Sequence, residues 1–232
     1  MTAPQTADDD RPTQLQAFAV PGIPVLTSGD DVVAVIAPLL NSAVAPDGYR
    51  GLRGDDIVVV AGKVVAKAQG RWRRALPGEF VSDAGGSGSI ASSEVLDEGA
   101  HAAVGEPGSG GAGAGRPGFR TAKGIPAGLG LDLPVDVDAA AAEIRRGLAA
   151  RFGGRPGVVI SGSEQGERGG AGVRDVALGS AGLDVHDAEG GSVVDALAAL
   201  AGLVMASSPN CPVVIVRGVP DVMTWEDGPL PD

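Results

Sequence analysis

The stretch from Gly157 to Leu183, GVVISGSEQGERGGAGVRDVALGSAGL, concentrates residue types that do chemistry. Ser161, Ser163, Glu164, Glu167 and Asp175 follow the β-branched run Val158-Val159-Ile160, with glycines between them. Hydroxyls and carboxylates on a glycine-rich loop suit phosphate or a hard cation, because divalent cations take oxygen ligands. The usual phosphate patterns are not met. A P-loop requires G-x-x-x-x-G-K-[ST], and this loop has no lysine. A dinucleotide fingerprint requires G-x-G-x-x-G; Gly170 and Gly172 begin one, but Asp175 stands at its last position. Gly113-x-Gly115-x-x-Gly118 does match, but no strand precedes it and Pro117 lies inside it, so it reads as chance in a glycine-rich tract.

The totals narrow the choice of chemistry. The chain has 232 residues, enough for one large domain or two small ones. Lys and Arg number 18 against 29 Asp and Glu, a formal charge of −11. Such a chain is a poor match for a nucleic-acid backbone or an anionic membrane surface. Aromatic residues are only 3%, so the core must be built from Val, Leu, Ile and Ala. Cys211 is the single cysteine and the histidines are His101 and His186 alone, so neither an internal disulfide nor a His/Cys zinc site is expected. A reducing cytoplasm fits this usage. No apolar run approaches the ~20 residues of a membrane span. Residues 1–14, polar and acidic, read as a disordered tail rather than a signal peptide.

The elements that must position these side chains follow from pattern. Ala17 to Val20 reads as a first strand, ended by Pro21-Gly22. Ser28 or Asp30 caps a helix bearing Val32, Val33, Ile36, Leu39 and Leu40, which Pro38 ends or kinks. Ile57 to Val60 is a continuous β-branched run, expected to be buried on both faces. Residues 84–118 change character: half of those from Gly105 to Gly118 are glycine, and the segment is expected to be a flexible insert with one weak helix at Val95 to Val104. Order is expected again near Leu131. Asp138 caps a helix whose stripe is Ala141, Ile144 and Leu148, with Arg145, Arg146 and Arg151 toward the end that suits cations. Gly153-Gly154 stops it. Ser192 caps a further helix to about Ser207, carrying Leu197, Leu200, Leu203 and Val204. Pro212 leads into the strand Val213 to Val216, and TWEDGPLPD reads as frayed. The class is α+β, mixed sheets with packed helices, and the connections look too long for simple hairpins. The layout is one domain in two parts, 15–83 and 119–220, with the insert between them and a tail at 221–232.

In this order the landmarks resemble the coenzyme F420-0:L-glutamate ligase family (γ-glutamyl ligases). The matching pieces are VPGIPVLTSGDD at 20–31, GDDIVVVAGKVVAKAQGR at 54–71, DVDAAAAEIRRGLAARFG at 136–153, GVVIS and RDVALGSAGL within 157–183, VVDALAALAGLVM at 193–205 and PVVIVRG at 212–218. The resemblance implies an α+β fold, a homodimer and GTP-dependent amide-bond formation. A carboxylate of the deazaflavin precursor is activated as an acyl phosphate, the amino group of L-glutamate attacks it, and Mg²⁺ or Mn²⁺ assists.

Residue by residue, the resemblance places the nucleotide-touching turn at Gly22-Ile23-Pro24. It places phosphate-facing cations at Lys63 and Lys67. The family's metal aspartates have no counterpart: Gly162 and Pro126 occupy those positions. Asp175 matches the last aspartate of the motif after the strand, and Glu164 and Glu167 are the nearby carboxylates that can substitute. Two readings stand side by side. One is a divergent ligase using Lys63, Lys67 and these carboxylates. The other is a non-catalytic relative that uses the scaffold for binding or assembly.

Overall fold

The computed structural model describes residues 14–74, 82–83, 120–121, 129–165 and 173–227. The elements run β1 (Gln16–Ala19), α1 (Val32–Ser42), β2 (Ile57–Ala61), α2 (Gly62–Ala68), β3 (Trp72–Arg74), β4 (Ser82–Asp83), β5 (Arg120–Thr121) and β6 (Leu129–Leu131). Then come α3 (Val137–Phe152), β7 (Gly157–Gln165), β8 (Val173–Ala181), α4 (Val193–Ser207), β9 (Val213–Arg217) and a 3₁₀ turn at Pro220–Val222. The content is α+β.

The main sheet has the order β1-β9-β2-β7-β8. β2 and β7 are parallel, from Ile57↔Gly157 to Ala61↔Ser161. β9 lies antiparallel to both β1 and β2, so β1, β2 and β7 all point the same way. A smaller sheet orders its strands β3-β6-β5-β4. Every residue of β2 is buried, as its unbroken β-branched run requires of a strand covered on both faces. Val58, Val60, Val158 and Ile160 pack under Ile36 and Leu40 of α1 and Ile144 and Leu148 of α3. Ile57, Val59, Val159, Val214 and Val216 pack under Leu197, Ala198 and Ala201 of α4.

Local readings hold in part. Ser192 caps α4, its hydroxyl accepting from Asp195 N at 3.3 Å. Helix α1 instead starts from Asp31, whose carboxylate accepts from Ala34 N at 3.0 Å. Asp30 closes the preceding turn onto Thr27 N at 2.7 Å. Pro38 does not end α1; it sits inside a helix that continues to Ser42. The neighbouring Val33, Ile36, Ala37 and Leu40 are buried, and that packing outweighs the roughly 3 kcal/mol a helical proline costs. Asp138 is not the cap of α3 but lies in its first turn, accepting from Ser180 N at 2.9 Å. The cap position is Asp136, in the left-handed region at φ 46°.

The largest departure concerns the glycine-serine stretch. Instead of an open loop after Ile160, the chain continues as β7 to Gln165 and returns as β8, an antiparallel hairpin with a register shift at Ile160/Ser161. Glycine is accommodated within these strands because neighbours fill the space. A Cβ on Gly179 would lie 2.7 Å from the Val137 carbonyl carbon at the start of α3. The hairpin tip, 166–172, lies outside the described residues, as do the 84–118 insert, the Val95 to Val104 helix and the Gly113–Gly118 match.

Two further contacts frame the sheet. A Cβ on Gly154 would overlap Gly54 Cα, and Arg155 N donates to Gly54 O at 2.9 Å. The segment expected to fray is held as far as Asp227. Buried Arg145 donates to the carbonyls of Pro156 at 3.1 Å, Glu226 at 2.8 Å and Thr224 at 2.9 Å, and pairs with the Asp227 carboxylate. The long positive side chain in the middle of α3 is therefore a tertiary clamp more than a partner of the helix dipole.

Candidate functional site

Three parallel strands ending along one edge collect whatever follows each of them. Ligands of open α/β sheets gather at carboxyl ends of strands. After β1 comes Gly22-Ile23-Pro24, with Gly22 at φ +85°, a backbone conformation that favours glycine. After β2 comes α2, carrying Lys63 and Lys67. Where β2 ends, β7 presents Ser161 and Gly162. The loop that follows Pro24 reaches α2 through Gly29 N, which donates to Ala68 O at 2.9 Å. Thus Gly22, Ile23, Pro24, Lys63 and Lys67 all follow strands that end at the same end of the sheet.

The two lysines differ in setting. Lys63 is half-buried, whereas Lys67 is buried at 7% exposure. Burial pushes the Lys67 ammonium below the ordinary lysine pKa, and the positive charge of Lys63 adds to that.

The carboxylates do not join them. Asp175 sits on β8 opposite Ser163, and a Cβ on Gly202 would lie 2.7 Å from its Oδ2, so its side chain runs along α4. That is the face opposite the cluster to which Val64 and Val65 of α2 belong. Glu164 lies on β7 in register with Arg174. Glu167 and Pro126 lie outside the described residues. Among the described residues, no group of three or more His, Cys, Asp or Glu side chains is placed to hold a metal ion.

Two further residues stand at this edge: Ser161, already singled out by its hydroxyl, and Leu178, which sequence reasoning passed over. Ser161 Oγ is buried without a hydrogen-bond partner among the described residues. Leu178 of β8 fills the space beside both glycines. A Cβ on Gly162 would lie 2.7 Å from Leu178 Cδ1, and one on Gly62 would lie 3.0 Å from the same atom. The alternation of Val176, Leu178 and Ser180 on a strand was the signal available for Leu178. Reading Ser161 to Asp175 as an open loop concealed it.

Comparison with known proteins agrees with this layout. The family model described as F420-0:Gamma-glutamyl ligase matches residues 120–218. A Haloarcula marismortui protein named coenzyme F420:L-glutamate ligase is 30% identical over 237 residues, covering 88% of this chain and 87% of that protein. A Halorubrum lacusprofundi protein of the same name is 44% identical over 57 residues, which is 25% of this chain and 19% of that protein. Among the described residues no helix is long and apolar enough to cross a membrane. With a match that runs along most of both chains, this chain belongs to the F420-0:gamma-glutamyl ligase family.

Proposed function

We propose that this chain is a coenzyme F420:L-glutamate ligase-like protein whose standard metal-dependent activity is impaired. Its substrate set is the one its relatives' names indicate, a deazaflavin precursor and L-glutamate, with GTP bound at the edge formed by Gly22-Ile23-Pro24, Lys63 and Lys67. The observation that carries the impairment is Gly162: the position expected to supply a metal carboxylate has no side chain, and Leu178 occupies the adjoining space. Mg²⁺ and Mn²⁺ need several oxygen ligands, usually with a carboxylate among them. Among the described residues the set does not fit such an ion, because Asp175 faces α4 and Glu164 is a lone acid on β7. No step through a metal is therefore assigned. The two lysines can still hold phosphate oxygens as point charges. A homodimer and a cytoplasmic setting belong to the same proposal, as does the absence of any nucleic-acid or membrane partner.

The test is a product assay. The purified chain is incubated with the deazaflavin precursor, L-glutamate, GTP and Mn²⁺ or Mg²⁺, beside an intact family member. Mass spectrometry reads addition of one glutamyl unit. The expected result is little or no product from this chain and full conversion by the control. Conversion at the control's rate would overturn the impairment and establish the divergent ligase, with the lysine edge as its nucleotide site. A non-catalytic binding subunit is the second reading, favoured if GTP binds without product.

A further inference from the structure

The opposite end of the molecule carries a cleft that the ligase reading does not use. It lies between the C-terminal half of α3 and the segment Thr224–Asp227 and has a volume of about 270 Å³. Arg145, Arg146, Gly154, Arg155, Trp225 and Asp227 line it. Three guanidinium groups thus face one carboxylate in a chain whose formal charge is −11. Arg145 is committed to holding the segment in place, as its four contacts show. Arg146 is held more loosely: its side chain is 60% exposed and Nη1 forms an ion pair with Asp227 Oδ2 at 3.8 Å, beyond hydrogen-bond distance. Arg155 lies over Trp225, 4.1 Å from the ring centroid, and donates to Trp225 O at 2.8 Å. Trp225 is nonetheless 78% exposed, a large apolar ring stacked under Arg155 at the mouth of the cleft. An exposed tryptophan fixed from behind by an arginine presents its free surface to a second flat group.

We propose that this cleft is a second ligand site that takes an aromatic anion, a flat ring stacked on Trp225 with its phosphate on Arg146 and Arg155. The carboxyl end of α3 opposes an anion there, and the charges of Arg146 and Arg155 outweigh that partial charge. The site is separate from the edge bearing Gly22, Lys63 and Lys67, since it adjoins the amino end of β7.

The chain has two tryptophans, so Trp72→Phe in the full chain leaves Trp225 as the sole indole reporter. GMP is titrated at low salt while Trp225 fluorescence is followed. Saturable quenching is expected, reversed by inorganic phosphate in excess. Arg146→Ala, at an exposed position, is expected to weaken it about fivefold, and Lys67→Ala to leave it unchanged. No saturable change, or an affinity insensitive to Arg146→Ala, would overturn the proposal. Loss of the signal in Lys67→Ala would assign the binding to the other edge and likewise overturn it, without touching the ligase reading.

Discussion

Leu178 of β8 stands where a side chain on Gly162 of β7 would go, with Cδ1, Cδ2 and Cγ 2.7, 2.9 and 2.9 Å from the position of an added Cβ. The two residues act as one packing unit. Gly162→Asp alone is expected to lower stability by about 1–3 kcal/mol through overpacking. Combined with Leu178→Ala, it should cost less than the sum of the two single changes, because the smaller side chain frees the space. Urea denaturation of the three variants measures this. Strict additivity would show that Leu178 moves aside freely.

Lys67 should leave a mark on the pH dependence of folding. Its folded pKa is lowered, by burial first and by Lys63 second. The folded state therefore releases this proton more readily than the unfolded chain does. The charged form opposes folding at neutral pH, and stability rises with pH from the lowered value toward the ordinary 10.5. Lys67→Met should flatten that alkaline rise, read as melting temperature against pH. An unchanged slope would assign the rise to other groups.

The same lysine should matter for GTP. Lys67→Ala is expected to weaken GTP binding at least tenfold by calorimetry, in keeping with loss of a charge-assisted phosphate contact. An affinity equal to that of the unaltered chain would remove Lys67 from the proposed nucleotide edge.

At the start of β2, Asp56 is fully buried against Arg217, with Nε at 2.6 Å from Oδ1 and Nη2 at 2.7 Å from Oδ2. Asp56→Ala leaves a buried guanidinium without its carboxylate and should cost about 3–5 kcal/mol. The double change Asp56→Ala/Arg217→Met should recover part of that loss. Chemical denaturation tests both, and a double variant as unstable as the single one would contradict the pairing argument.

Arg145 makes a prediction about the C-terminal segment. Arg145→Met leaves the carbonyls of Pro156, Thr224 and Glu226 without their donor. Thr224 N, which donates to Gly182 O at 3.0 Å, should then exchange its amide proton much faster than in the unaltered chain. Exchange followed by mass spectrometry reads this directly, and unchanged protection would mean that Thr224 is held without the arginine.

What was legible in the sequence was whatever local pattern decides. β2 and β9 announced themselves as β-branched runs, and α4 by its cap at Ser192 and its apolar periodicity. Their residues bury wherever they are placed, so the pattern suffices. Less legible were the features set by distant partners. Ser161 to Gln165 forms a strand because Val173 to Ala177 lies beside it, not because Ser-Gly-Ser favours one. Asp138 looks like a cap until Ser180 N is brought to it from the sheet. Arg145 reads as a dipole partner until residues some eighty positions later fold over it. For the candidate site, the turn at Gly22 and the lysines of α2 were singled out through the family resemblance rather than by any local pattern. The face that Asp175 takes follows from strand register, which a one-residue shift reverses.

The contact of Gly54 with Gly154 joins the two segments that lead into the parallel neighbours β2 and β7 at their amino ends. Between them the chain leaves the carboxyl end of β2 and re-enters the sheet at the amino end of β7 roughly a hundred residues later, a crossover spanning the length of the strands. The entropy of closing such a loop grows only with the logarithm of its length. Insertions and deletions between the two strands therefore weigh little on the sheet.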